Sequence, residues 1–172
     1  MSKAFFLGSY VGGIVLCAVS IGTGLHLLAS LETSGAPLVT LGVIPGLYAA
    51  FIFCVFVYRM WQAIQDGNPR TTPGKAVGFL FIPFFNLYWI FQALWGYAKD
   101  FNAYVAERRI PARRMPEKMA RDICILSLCS VIPYLGTLIA VLNFFLLIAF
   151  MWKVCDGVNA VLAHRATAAR PA

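Results

Sequence analysis

Charged side chains are scarce: Asp, Glu, Lys and Arg make up 12% of the 172 residues, about half the share usual in a soluble domain. Acid is scarcer than base, with 7 Asp+Glu against 14 Lys+Arg, and there are only 2 His. This excludes an ordinary soluble fold. It also excludes a disordered chain, which is rich in charge and poor in aromatics, because Phe, Trp and Tyr reach 15%. No charged residue falls within the hydrocarbon part of an apolar run, which disfavours proton-coupled transport, since transporters keep such groups. Cys17, Cys54, Cys124, Cys129 and Cys155 lack metal-type spacing and read as small buried hydrophobes. No carboxylate pair, activated nucleophile or cluster of metal ligands can be assembled, so no catalytic or metal residue is expected and the chain is not read as an enzyme. His26 is the one weak candidate for holding a haem or pigment, and His164, in the polar tail, does not match its placement. No cofactor is expected beyond bound lipid.

Long apolar stretches are abundant. The chain is 60% hydrophobic with mean hydropathy +0.77, and its runs cover residues 5–29, 37–58, 76–98 and 123–152. About 20 helical residues cross a ~30 Å hydrocarbon core, so the first two runs read as full spans, the first too long for a cleaved signal. The third is interrupted at Ile82-Pro83 and the fourth at Ile132-Pro133, where proline removes a donor and disfavours helix before it. The expected fold is an all-α polytopic membrane protein with two full transmembrane helices and two proline-broken helical segments, each a shorter hairpin or, alternatively, one kinked span. A single membrane domain is expected: a first helical hairpin over 1–68, a broken segment over 69–106, a basic loop over 107–121, a broken segment over 122–160 and a flexible tail over 161–172.

Charge placement gives an orientation. The joint at 30–36 holds only Glu32, whereas the basic residues gather at the N-terminal tip, at 59–75, at 99–121 and from Lys153 onward. Lys and Arg collect on the cytoplasmic side, which puts both termini inside. A single crossing at 76–98 would place Arg108, Arg109, Arg113, Arg114, Lys118 and Arg121 outside, and a returning hairpin removes that conflict. These six cations form a basic patch whose first role is topogenic and whose second is attraction of anionic lipid headgroups or an acidic partner. Nucleic acid is not an expected partner, since no recognition fold accompanies the charge.

An internal repeat points the same way. Trp61-x4-Asp66-x-Asn68 recurs as Trp95-x4-Asp100-x-Asn102 and, more loosely, as Trp152-x3-Asp156-x2-Asn159. In each the Trp and Asn are seven residues apart, about two helical turns, which reads as an interfacial Trp with a polar group beyond the headgroups. Ile-Pro precedes each copy, at 44–45, 82–83 and 132–133. For helix packing, Gly8 and Gly12, Ser9 and Gly13, and Gly42 with Gly46 supply small residues four apart, which let backbones approach closely in lipid. The stripe suits the first two helices against each other, or a second copy of the chain.

From Thr72-Pro-Gly-Lys-Ala-Val-Gly-Phe-Leu-Phe-Ile-Pro-Phe-Phe-Asn-Leu through Gln92, the chain resembles bacterial polytopic membrane proteins classed as domains of unknown function, which share a Pro-Gly-x-Ala-Val-Gly and Ile-Pro-x-x-Asn-Leu core. The likeness covers residues 72–102. It implies a bacterial inner-membrane protein and carries no activity with it.

The function expected is that of a non-catalytic accessory, scaffold or assembly subunit, meeting other membrane subunits or further copies of itself. The alternative is a homo-oligomeric channel or small-solute transporter that uses the breaks at Pro83 and Pro133, with Asn86, Gln92, Thr137 and Asn143 as its polar lining, because broken helices form substrate sites in transporters.

Overall fold

The computed structural model describes residues 1–29, 35–133 and 135–168, and these are helical without a strand. Glu32, Tyr134 and Arg170 lie outside the described residues. Three helices are long and apolar enough to cross a membrane, Lys3–Ala29, Pro37–Gln62 and Leu135–Ala168, so the chain is a multi-pass helical membrane protein. Two compact units divide it, one of Ser2–Phe56 and one of Val57 onward with Met1. The division falls within the second long helix.

In the first unit, α1 (Lys3–Ala29) packs on the part of α2 (Gly35–Gln62) that ends at Phe56. A Cβ on Gly13 would stand 2.9 Å from the Pro45 carbonyl oxygen, and one on Gly42 would stand 2.6 Å from the Ile21 side chain. Gly46 meets Cys17 at 3.0 Å in the same sense. Gly8 and Gly12 have open space instead, so of the two frames it is the Ser9 and Gly13 one whose glycine meets α2. Residues 9 and 13 lie about 100° around the helix from 8 and 12. Phe6 meets Phe56 edge-on at 5.8 Å and Tyr10 meets Phe53 at 6.2 Å. Pro45 remains inside continuous helix, unlike the other two Ile-Pro prolines.

In the second unit the chain folds into two helical hairpins. The first descends through α3 (Pro73–Gly78) and a 3-10 turn at Phe79–Phe81, and returns through α4 (Phe85–Ile90), a π turn at Phe91–Gly96 and α5 (Tyr97–Glu107). The second descends through α6 (Glu117–Cys129) and returns through α7 (Leu135–Ala168). Thr72 starts α3 by accepting a hydrogen bond from the Lys75 N–H at 3.4 Å, with Pro73 in the first turn, where its missing donor costs nothing.

Both hairpins turn on the same main-chain device. Ile82 donates to Phe79 at 3.5 Å, Phe85 to Pro83 at 2.7 Å and Asn86 to Ile82 at 3.0 Å. Fifty residues on, Ile132 donates to Cys129 at 3.1 Å, Leu135 to Pro133 at 2.7 Å and Gly136 to Ile132 at 2.7 Å. Phe84, at the first tip, has φ 62° and is 88% exposed. Gly136 is required at the second, where a Cβ would stand 2.2 Å from the Ser130 carbonyl oxygen. The arms then return side by side. The Trp89 indole donates to the Ala76 carbonyl at 3.1 Å, and Asn143 on α7 donates to the Ser127 hydroxyl on α6 at 2.9 Å.

The two hairpins are unequal. In the second, α7 has 34 residues against 13 in α6. α6 begins sixteen residues before Pro133 while α3 begins ten before Pro83, a difference of about 9 Å of helix. Helix also persists to Ala168, replacing most of the expected flexible tail.

The densest packing lies toward the charged ends of the arms. Ile64, Leu94, Tyr97, Phe101, Ile123, Phe150, Met151, Val154 and Cys155 are buried there, while Phe81, Phe84, Val131 and Leu138 near the turns are exposed.

Candidate functional site

The polar end of the second unit is cross-braced. Trp61 is fully buried, its indole donating to the Ala93 carbonyl at 3.1 Å and its ring set edge-on against Tyr97 at 5.4 Å. Ala93 belongs to the π turn, and a wide turn leaves carbonyls open to outside donors. Trp61 is therefore core rather than an interfacial residue, which corrects one copy of the Trp repeat. Trp95 lies under the Lys99 ammonium, 3.6 Å from the ring centre, and Trp152 is 52% exposed.

Each of two scarce carboxylates is held by arginine. Asp100 accepts from the Arg70 main-chain N–H at 2.9 Å, from its Nε at 2.9 Å and from its Nη2 at 2.6 Å. The hydrogen bond to Asp100 is the main cause that raises the Arg70 pKa above its ordinary value. Gly96 makes room for this, because a Cβ there would stand 3.2 Å from Arg70 Cδ. Asp66 receives the Tyr104 hydroxyl at 3.1 Å, pairs with Arg108 at 3.0 Å and pairs with Arg165. Arg165 also donates to the Ala63 carbonyl at 2.6 Å and the Tyr104 oxygen at 2.8 Å. Gly67 lies flat on Tyr104, with a Cβ position 2.7 Å from its ring.

The asparagines of the repeat divide. Asn102 binds the main chain of Met115 in both directions, at 3.0 Å and 2.7 Å, and also donates to Glu117 at 2.8 Å. Asn159 donates to the Met1 carbonyl at 2.9 Å and accepts from the Met1 ammonium. Asn68 is exposed and lines a cleft of about 140 Å³ beside Asp100 and Tyr104.

The basic loop is thereby held. Ile110 and Met115 are buried, Met115 lies on Gly157 of α7, where a Cβ would stand 2.4 Å from its methyl, and Arg109 makes the turn at φ 51°. The six cations are not one free patch. Arg108 is committed to Asp66 and Arg121 to Asp122 at 3.0 Å, while Arg113 and Arg114 line a cleft of about 160 Å³ with Trp152, Lys153 and Asp156. Lys118 is exposed.

The residues expected to line a pore do not converge. Gln92 belongs to the Arg70 cluster, accepting from Arg70 at 3.3 Å and donating to Tyr88 at 2.9 Å, and Asn143 joins α6 to α7. Thr137 is exposed near the second turn. Asn86 follows the first turn with its side-chain oxygen buried and unpartnered, as is that of Asn143. His26 is exposed near the end of α1, and among the described residues no three His, Cys, Asp or Glu gather where a metal would bind. Sequence reading missed the Asp66–Tyr104–Arg165 meeting and the cleft beside Trp152. The usable signal was acid scarcity, since few carboxylates face many arginines.

No family model, no curated protein and no solved structure matches the chain.

Proposed function

We propose that the chain is a non-catalytic accessory, scaffold or assembly subunit of a bacterial inner-membrane complex, presenting its braced basic end to a partner on the cytoplasmic side. One observation carries the reading. Arg70, Arg108 and Arg165, with Asn102 and Asn159, are spent on fastening the chain to itself, which produces a rigid platform rather than a reactive cleft. Rigid, pre-ordered surfaces lose little entropy on docking. The hairpins support the orientation. Residues 99–121 and Arg165 meet residues 63–70 in one polar layer, so two full spans and two returning segments would keep every cationic stretch on the side that favours Lys and Arg. The likeness over residues 72–102 agrees with that membrane.

Native mass determination of the gently extracted protein tests the reading. A complex of fixed stoichiometry with an unlike chain, lost on Arg109→Glu with Lys118→Glu, is expected. A closed ring of identical chains, with solute flux in liposomes, would reject it.

The second reading is a channel or small-solute transporter, favoured by the unpartnered oxygens of Asn86 and Asn143 on the two broken segments. A buried amide oxygen without a donor is costly, and a polar solute or water would supply one. Liposome flux abolished by Asn86→Leu is the result that reading requires.

A further inference from the structure

The two hairpins carry the same residue spacing at their polar corners. In the first, Arg70 stands three residues before α3 and reaches Asp100, five residues after Trp95, by lying over Gly96. In the second, Arg114 stands three residues before α6, and Asp156 follows Trp152 by four. The residue after the tryptophan is Gly96 in the first and Lys153 in the second. The first corner holds the Arg70–Asp100 ion pair, and the second holds a cleft of about 160 Å³, about five liquid-water volumes.

That cleft gathers Arg113, Arg114 and Lys153 around one carboxylate, Asp156, a surplus of two positive charges. The main chain beside Arg114 is held by Met115 on Gly157 and by Asn102 on Met115. Guanidinium forks match phosphate oxygens in geometry as well as charge.

The neighbourhood chooses the source of the phosphate. Trp152 directly follows the apolar run of α7, and below it Leu138, Val141, Leu142 and Phe145 are all exposed. Their spacing places them on one helical face that leads to the cleft. An acyl chain on that face would deliver its headgroup to the arginines, beside an aromatic ring of the type that favours the headgroup level.

We propose that Arg113, Arg114, Lys153 and Trp152 form a specific site for the phosphodiester headgroup of an anionic phospholipid, with the α7 stripe receiving its acyl chain. The site rests on the lipid-facing reading of α7 and not on the accessory role, so its failure leaves the co-purification result standing.

The experiment titrates the full chain in nonionic detergent with phosphatidylglycerol, phosphatidylcholine, glycerol 3-phosphate and inorganic phosphate, following binding by native mass spectrometry. Phosphatidylglycerol should bind in preference to phosphatidylcholine. Arg114→Gln with Lys153→Gln should weaken it about tenfold or more, whereas Lys118→Gln with Arg121→Gln, which removes equal charge outside the cleft, should change it less than about twofold. Leu142→Ser with Phe145→Ser should weaken the lipid too. Equal losses for both charge pairs would overturn the proposal in favour of diffuse attraction. Inorganic phosphate or glycerol 3-phosphate bound as tightly as the lipid would overturn the lipid source.

Discussion

The Asn102 side chain closes a two-way clasp on Met115, donating to its carbonyl at 3.0 Å and accepting from its N–H at 2.7 Å. This clasp is what turns a stretch rich in arginine and proline into a positioned loop.

Asn102→Ala should therefore cost about 2 kcal/mol of stability, two hydrogen bonds at roughly 1 kcal/mol each. It should also speed tryptic cleavage at Arg113 and Arg114 in the folded protein. Thermal melting together with timed proteolysis checks both, and unchanged cleavage would mean that the loop keeps its path without the clasp.

Trp61 joins the end of α2 to the first hairpin through Ala93. Trp61→Phe keeps an aromatic ring but leaves a buried carbonyl unpaired, which should cost about 1–3 kcal/mol. Trp61→Ala should cost more, about 3–5 kcal/mol, and a melting series of the two variants orders them.

Asp66 gathers Tyr104, Arg108 and Arg165. Asp66→Asn should lower stability by about 1 kcal/mol, a modest figure because the group is partly exposed. The loss should shrink as salt rises from low to physiological strength. Melting at two ionic strengths reads it, and a salt-independent loss would mean that shape rather than charge holds the corner.

The glycines of α1 and α2 should separate cleanly. Gly13→Leu and Gly42→Leu drive side chains into the facing helix and should destabilise the first unit by about 1–3 kcal/mol. Gly8→Leu and Gly12→Leu point into open space and should stay within about 0.5 kcal/mol of the parent. Thermal melting of the four variants in one detergent checks the split.

Much of this fold is readable from composition and proline placement. Apolar run lengths give the long helices, and Pro83 and Pro133 mark both turns. Pro45 shows where local reading stops, because the same Ile-Pro pair lies inside continuous helix with Gly13 of α1 packed on its carbonyl. That outcome is decided by a neighbour distant in sequence. The repeat was legible as spacing but not as environment, since Trp61 is buried while Trp152 faces outward, and a seven-residue interval carries no information about what packs against it. The glycine stripe had two frames one residue apart, and only contact with α2 chooses between them. The cleft was least legible, because its arginines come from a loop whose path is set by Asn102, Ile110 and Met115.

A hairpin that comes back to the side it left has nothing charged to carry across. The cations at 99–121 and the pair Lys153 and Arg165 belong to arms whose tips hold Phe84, Val131 and Leu135, so on the proposed topology only apolar turns travel into the bilayer. Carrying one Lys or Arg to the centre of a membrane helix costs about 2.5–3.5 kcal/mol on insertion scales. On the proposed topology both hairpins would be inserted tip-first from one side after their basic ends are made, which would free the later half of the chain from the translocation step that α1 and α2 would require.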